Sequence, residues 1–122
     1  MGQALDVANS FYNAANERRL DALRDLVAED VRFVGPTMQA SGAAEYVAMN
    51  EQLLGFHRET RMLQQFERNG SVCSIYELDM TTPAGEDVLT LTMADWLEVA
   101  DGKITSQRIY FDPREFATAF GL

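Results

Sequence analysis

The chain has one cysteine, one histidine and three prolines in 122 residues. A single Cys73 rules out an internal disulfide and points to a reducing, cytoplasmic setting. It lies in an apolar strand with no nucleophile signature around it and reads as a small core residue. With His57 as the lone histidine, no His/Cys/Asp cluster has metal-ligand spacing, so neither a metal nor a cofactor is expected. Gly-rich phosphate loops, Gly-x-Ser-x-Gly and Cys-x-x-Cys are absent as well. No apolar run reaches membrane-spanning length, and Met1 to Asn9 carry neither the basic nor the apolar region of a signal peptide. Basic residues are scarce: ten Lys and Arg against nineteen Asp and Glu leave a formal charge of −9. Such a surface repels phosphate backbones and anionic lipid, which excludes nucleic acid and membrane from the expected partners.

What remains is a globular balance, 47% hydrophobic and 24% charged, in a length that suits one domain over residues 1–122. Ala4, Leu5, Ala8, Phe11, Tyr12 and Ala15 recur at helical spacing between Gln3 and Asn16. Asp21 is the expected N-cap of a second helix that turns Leu23, Leu26 and Val27 inward. A short strand with Val31, Phe33 and Val34 stops at Gly35-Pro36. Ser41-Gly42 opens a third helix with Tyr46, Met49, Leu53 and Phe56 on its apolar side. After about residue 60 the period becomes two. Arg61–Arg68 and Ser71–Thr81 flank Asn69-Gly70, a strong hairpin signal. Strands over 87–99 and 104–111 follow, and Asp112-Pro113-Arg114-Glu115 reads as a capping box. Helices first and a meander afterwards predict an α+β fold rather than a parallel sheet.

The strand from Asp87 to Val99 carries the strongest functional signal. Its odd positions are Leu89, Leu91, Met93, Asp95, Leu97 and Val99, a hydrocarbon face with one carboxyl near its middle. Such a carboxyl must be paired, hydrogen-bonded or protonated, and each option raises the case for a site. A two-residue turn at Asp101-Gly102 sets Asp95 opposite Arg108, a structural ion pair. A three-residue turn with a glycine bulge sets it opposite Gln107, beside Ile109 and Phe111. The second is preferred because it turns Gln107, Ile109 and Phe111 toward the apolar face and Arg108 away.

The Asn69-Gly70 hairpin pairs Phe66 with Cys73, Gln64 with Ile75 and Met62 with Glu77 on one face. Glu77 is thus either a second inward carboxyl or a solvated strand glutamate. Leu63, Val72, Tyr76, Leu78, Trp96 and Tyr110 fall on the opposite face, too much apolar surface for water, so a homodimer through the outer sheet face is expected. His57 is either a surface residue or a proton carrier in the pocket. The candidate catalytic residues are Asp95, Glu77 and His57. The expected pocket wall comprises Phe11, Tyr12, Phe33, Tyr46, Met49, Phe56, Met62, Phe66, Ile75, Leu91, Met93, Gln107, Ile109 and Phe111.

Asp101-Gly102-Lys103-Ile104-Thr105, followed by Arg108 through Phe116, resembles the end of SnoaL-like domains and limonene epoxide hydrolases. These belong to the nuclear transport factor 2-like superfamily, with the ketosteroid isomerases and polyketide cyclases, and Phe11 to Pro36 resembles the isomerases' opening. The resemblance implies a cone-like curved antiparallel sheet with N-terminal helices packed in its concave face, usually dimeric, and a site inside the cone. It sets Asp95 at the protonated aspartic acid of the isomerase oxyanion hole, a case known for a carboxyl kept neutral by its apolar site. Phe11, beside Tyr12, falls at the oxyanion-hole tyrosine, and Gly35 at the catalytic base. The hydrolase Asp-Arg-Asp set falls on Ile75, Glu77 and Ile109, and the cyclase aspartate at or near Ile109. Asp112 is explained as a cap. The expectation is a pocket for a small hydrophobic, oxygen-bearing molecule, with isomerase, cyclase, dehydratase or lyase chemistry that uses a protonated Asp95 as hydrogen-bond donor. The alternative is a non-catalytic binding or dimerisation module.

Overall fold

The amphipathic stripe of residues 3–16 forms helix α1 (Gln3–Asn16), which buries Ala4, Ala8, Phe11 and Tyr12. The computed structural model describes residues 3–85 and 87–122. After α1 come α2 (Leu20–Leu26), β1 (Val27–Val34), β2 (Gln39–Ser41), α3 (Ala43–Leu54), β3 (His57–Arg68), β4 (Ser71–Thr81), β5 (Val88–Ala100), β6 (Lys103–Tyr110) and α4 (Arg114–Phe120). The strands make one open sheet in the order β2-β1-β6-β5-β4-β3. Its inner face and the helices enclose the core of an α+β cone.

Four strand pairs are antiparallel, but β1 and β6 run parallel, Phe33 beside Gln107. The curved sheet is therefore antiparallel as expected except at this one parallel pair. A nearest-neighbour reading of a meander cannot foresee the crossover that brings the first long strand beside the last.

Asn69 and Gly70 both adopt positive φ (52° and 83°), as a two-residue hairpin turn requires. Phe66 faces Cys73 and Gln64 faces Ile75, as the turn predicts, but the face is the outer one. The inner residues of β4 are Val72, Ser74, Tyr76, Leu78 and Met80, so Val72, Tyr76 and Leu78 lie inside and not on the expected outer face. Phe66 (58% exposed) and Ile75 are thus outside, and Cys73 is half-buried there instead of in the core. Leu63 forms a bulge, so Glu77 pairs with Arg61, and Met62 with Tyr76. Met62, 36% exposed, lies on the edge strand β3.

The second hairpin also departs from both expected registers. Asp101 and Gly102 form a two-residue turn with φ of 53° and 75°, and Ala100 pairs with Lys103. The extra residue is Thr105, inside β6, where the register shifts between Val99/Ile104 and Glu98/Ser106. Asp95 consequently faces Ile109, while Leu97 faces Gln107. The bulge restores the expected facing by another route: Gln107 is buried, and Arg108 lies outside over the Trp96 ring at 5.5 Å. α4 begins at Arg114, and Asp112 Oδ1 accepts its backbone N–H at 3.1 Å. Pro113 rather than Asp112 occupies the N-cap position, so the expected capping box is not formed, and no bond returns from Glu115 among the described residues. No helix of the described residues is long and apolar enough to cross a membrane.

Candidate functional site

Asp95 sits in the middle of β5 with no exposed surface. Three elements aim donors at it. From α1, the Tyr12 hydroxyl donates to Oδ2 at 3.0 Å; from β4, the Tyr76 hydroxyl donates to the same oxygen at 3.0 Å. From β6, Gln107 Nε2 donates to Oδ2 at 2.9 Å and to Oδ1 at 3.1 Å. The Tyr46 hydroxyl of α3 donates to Gln107 Oε1 and so orients the amide. No cation contacts the carboxyl among the described residues, so the Arg108 ion pair is not formed. Burial raises its pKa from 3.8 to about 6, against the opposing pull of the Tyr12, Tyr76 and Gln107 hydrogen bonds. Tyr12, Tyr46 and Tyr76 have pKa values raised well above the ordinary 10, first by burial and then by the nearby Asp95.

Tyr12, Tyr76 and Gln107 form part of the wall of a cavity of about 110 Å³. Asp95 stands directly behind that wall, so a molecule in the cavity meets it through Tyr12, Tyr76 and Gln107. The rest of the lining is mainly hydrocarbon: Phe11, Phe33, Met49, Met93, Ile109 and Phe111 come from the expected set, with His57. Tyr46 and Leu91 are buried in the adjoining core, and Phe56 packs edge-on against Phe120 with ring centroids 5.0 Å apart. Met62, Phe66 and Ile75 leave the pocket for the reasons of register and face given above. Glu77 leaves it too: on the outer face, its Oε1 accepts from Arg61 Nε at 3.4 Å. That exposed pair contributes little.

His57 begins β3 and is 5% exposed. Its Nε2 lies 3.0 Å from Thr60 Oγ1, and its carbonyl accepts from the Arg18 guanidinium. Nδ1 is buried with no partner among the described residues. Burial lowers the pKa of the ring below 6.5, and the charge of Arg18 adds to this, so the neutral imidazole dominates at neutral pH.

The sequence reading missed Tyr76, Asn50, Thr37 and Thr60, all of which line the cavity. Asn50 lies one turn after Tyr46 and donates to its carbonyl at 2.9 Å, so helical spacing alone could have placed it inside. Gly35 has a steric explanation. A Cβ there would come within 3.0 Å of Ile109 Cγ1, so Ile109 fills the space that a side chain at 35 would need. No group of three or more His, Cys, Asp or Glu among the described residues could hold a metal ion.

Residues 8–107 match the family model of the SnoaL-like domain. No curated protein matches the chain. An NTF2-like protein of unknown function from Cytophaga hutchinsonii is 26% identical, with 93% of each chain covered and a TM-score of 0.80. A putative SnoaL-like polyketide cyclase from Jannaschia sp. superposes at a TM-score of 0.83 with 16% identity, over 97% of this chain and 91% of that one. An LEH-like epoxide hydrolase from M. tuberculosis gives a TM-score of 0.83 with 18% identity, over 97% and 89%. The last two likenesses are of fold alone.

Proposed function

The chain belongs to the SnoaL-like domain family, and from that premise we propose that it binds a small hydrophobic, oxygen-bearing molecule and catalyses proton transfer on it. The observation that carries this reading is the fully buried Asp95 gripped by two cavity-lining tyrosine hydroxyls and Gln107. The ligand's oxygen end lies against the Tyr12–Tyr76 wall and its carbon frame among Phe11, Met49 and Ile109. The cavity of about 110 Å³ is smaller than the engineered cavity of about 150 Å³ that admits benzene, which limits the ligand to a small molecule.

In the reactive form Asp95 holds a proton and donates it to one tyrosine oxygen. That tyrosine's own O–H then turns to the ligand oxygen. Neutral His57 takes a proton from the carbon beside the carbonyl, the C–H electron pair moves toward oxygen, and the tyrosine hydrogen bond stabilises the developing charge. His57 returns the proton to the enolate, at the same carbon or at another. Isomerase, cyclase, dehydratase and lyase reactions share this half-step. The expected role of Asp95 is kept, but it is exerted through a tyrosine.

The tight fit of Gly35 against Ile109, where the resemblance sets a catalytic base and a cyclase aspartate, favours the second reading, a binding module without chemistry. One experiment separates them. Cyclohexanone in D₂O is followed by NMR for exchange of its α-hydrogens, with the wild type and His57→Gln. Exchange above buffer that is lost in the variant supports catalysis. Saturable binding without exchange leaves the binding module, and no binding overturns both.

We also propose that a second copy of the chain covers the outer face. Phe66, Ala94, Trp96 and Tyr110 border an apolar hollow there, with Glu67 and Arg68 at its rim. A two-fold repeat sets apolar surface on apolar surface and can bring those opposite charges together. Sedimentation of a dimer that Trp96→Glu converts to monomer supports this; a monomeric wild type at high concentration refutes it.

A further inference from the structure

The stretch of α3 that faces the cavity is hydrocarbon with one interruption. Met49, Leu53 and Leu54 line the space, and Asn50 lines it between them. Asn50 is 9% exposed. A carboxamide carries two N–H donors on one branch and two lone pairs on the other, and burying either branch unpaired is costly. The nitrogen is served from within the helix: Nδ2 donates to the Tyr46 carbonyl at 2.9 Å. A carbonyl only accepts, so this contact decides which way round the amide sits and leaves Oδ1 as its free branch.

No donor among the described residues is bonded to that oxygen. The buried side-chain atoms that lack both a partner and accessible surface are Thr37 Oγ1 and His57 Nδ1, and Asn50 Oδ1 is not one of them. It therefore keeps accessible surface, and the space its residue borders is the cavity. Packing does not explain the choice of residue. Leucine would fill a similar volume with better helix propensity and no unpaired acceptor. We infer that Asn50 Oδ1 is a second polar anchor, which accepts a hydrogen bond from an O–H or N–H of the bound molecule. The ligand is then a small hydroxy-ketone or a like compound: its carbonyl oxygen meets the Tyr12–Tyr76 wall and its donor meets α3. A ketone without that donor would strip water from Oδ1 and return nothing, which is how a polar site rejects an analogue lacking a hydroxyl. The inference rests on the reading of the cavity as the ligand site, and it names the class of molecule held there and the residue that selects it.

Matched ketones test it, each pair exchanging a terminal methyl for a hydroxyl: butanone with hydroxyacetone, pentan-2-one with 4-hydroxybutan-2-one, and hexan-2-one with 5-hydroxypentan-2-one. Dissociation constants are measured by NMR titration of the wild type and of Asn50→Leu, which removes the acceptor at similar volume. For the pair whose chain length spans both anchors, the preference for the hydroxy-ketone over its alkyl partner should fall roughly five- to tenfold in the variant, the effect of one ordinary hydrogen bond. A ratio within each protein cancels any general loosening of the pocket. In the wild type that hydroxy-ketone should also move the Asn50 carboxamide carbon resonance, and its alkyl partner should not, a reading that needs no variant. Ratios left unchanged by Asn50→Leu in every pair, or a carboxamide signal indifferent to the hydroxyl, would overturn the inference while the ligand site stands. Failure of all six ketones to bind the wild type would sink the reading of the cavity itself, and the inference with it.

Discussion

Asp95→Asn isolates the cost of desolvating one carboxylate. The folded pKa is about 6 against 3.8 for the free group, a difference of about 2.2 units, and the residue is fully buried. At about 1.36 kcal/mol per unit this amounts to roughly 3 kcal/mol. The folded state holds the proton more tightly, so between pH 3.8 and 6 it binds more protons than the unfolded chain does. Asp95 is therefore least destabilising below pH 3.8, and stability is lost as pH rises through about 6. Asparagine cannot titrate. The other carboxylates are common to both proteins and cancel to first order. Urea unfolding from pH 4 to 8 should show wild type losing stability relative to Asp95→Asn by most of that 3 kcal/mol, with the change finished soon above pH 6. A difference constant within about 0.5 kcal/mol across the range would refute the argument. So would a wild type that gains on the variant with rising pH, since that would mean a carboxylate stabilised by its donors beyond its desolvation.

Three further outcomes follow from the same geometry. Tyr76→Phe removes one of the donors to Asp95 and should cost about 1–3 kcal/mol at pH 8 in urea unfolding; Asp95's own titration should move up as well. Gly35→Ala pushes a methyl against Ile109 Cγ1, and overpacking should cost about 1–3 kcal/mol. Ile109→Ala made in that background should recover part of the loss, and a double-mutant cycle without coupling would contradict the packing account. The His57 imidazole should titrate below 6.5 in proton NMR, and Arg18→Met should move it upward.

Much of this site was legible because the clue was an exception to a clean alternation: one carboxyl among Leu89, Leu91, Met93, Leu97 and Val99. The facing of Gln107 was legible for a similar reason, although the pairing that achieves it was not. A bulge at Thr105 and a three-residue turn give the same inward set from different registers, and residue types alone do not separate them. β4 failed for the opposite reason. It carries apolar residues on both faces, Cys73 and Ile75 outside, Val72, Tyr76 and Met80 inside, and Ser74 on the inner face disguised the period. The wrong face hid Tyr76, the second tyrosine on Asp95, and promoted Glu77 in its place. Asn50 was passed over because it is polar, not because its spacing was obscure. The β1–β6 pair lay out of reach, since a parallel contact across the whole chain leaves no local signature.

The proposed activity requires a ligand oxygen to meet the tyrosine pair that shields the desolvated Asp95. A crystal structure with cyclohexanone bound tests it most directly. The ring should occupy the cavity beside Met49 and Ile109, with its oxygen within hydrogen-bond reach of the Tyr12 or Tyr76 hydroxyl. A ring seated there with its oxygen turned away from both hydroxyls, or a cavity that stays unoccupied at saturating ligand, would contradict it.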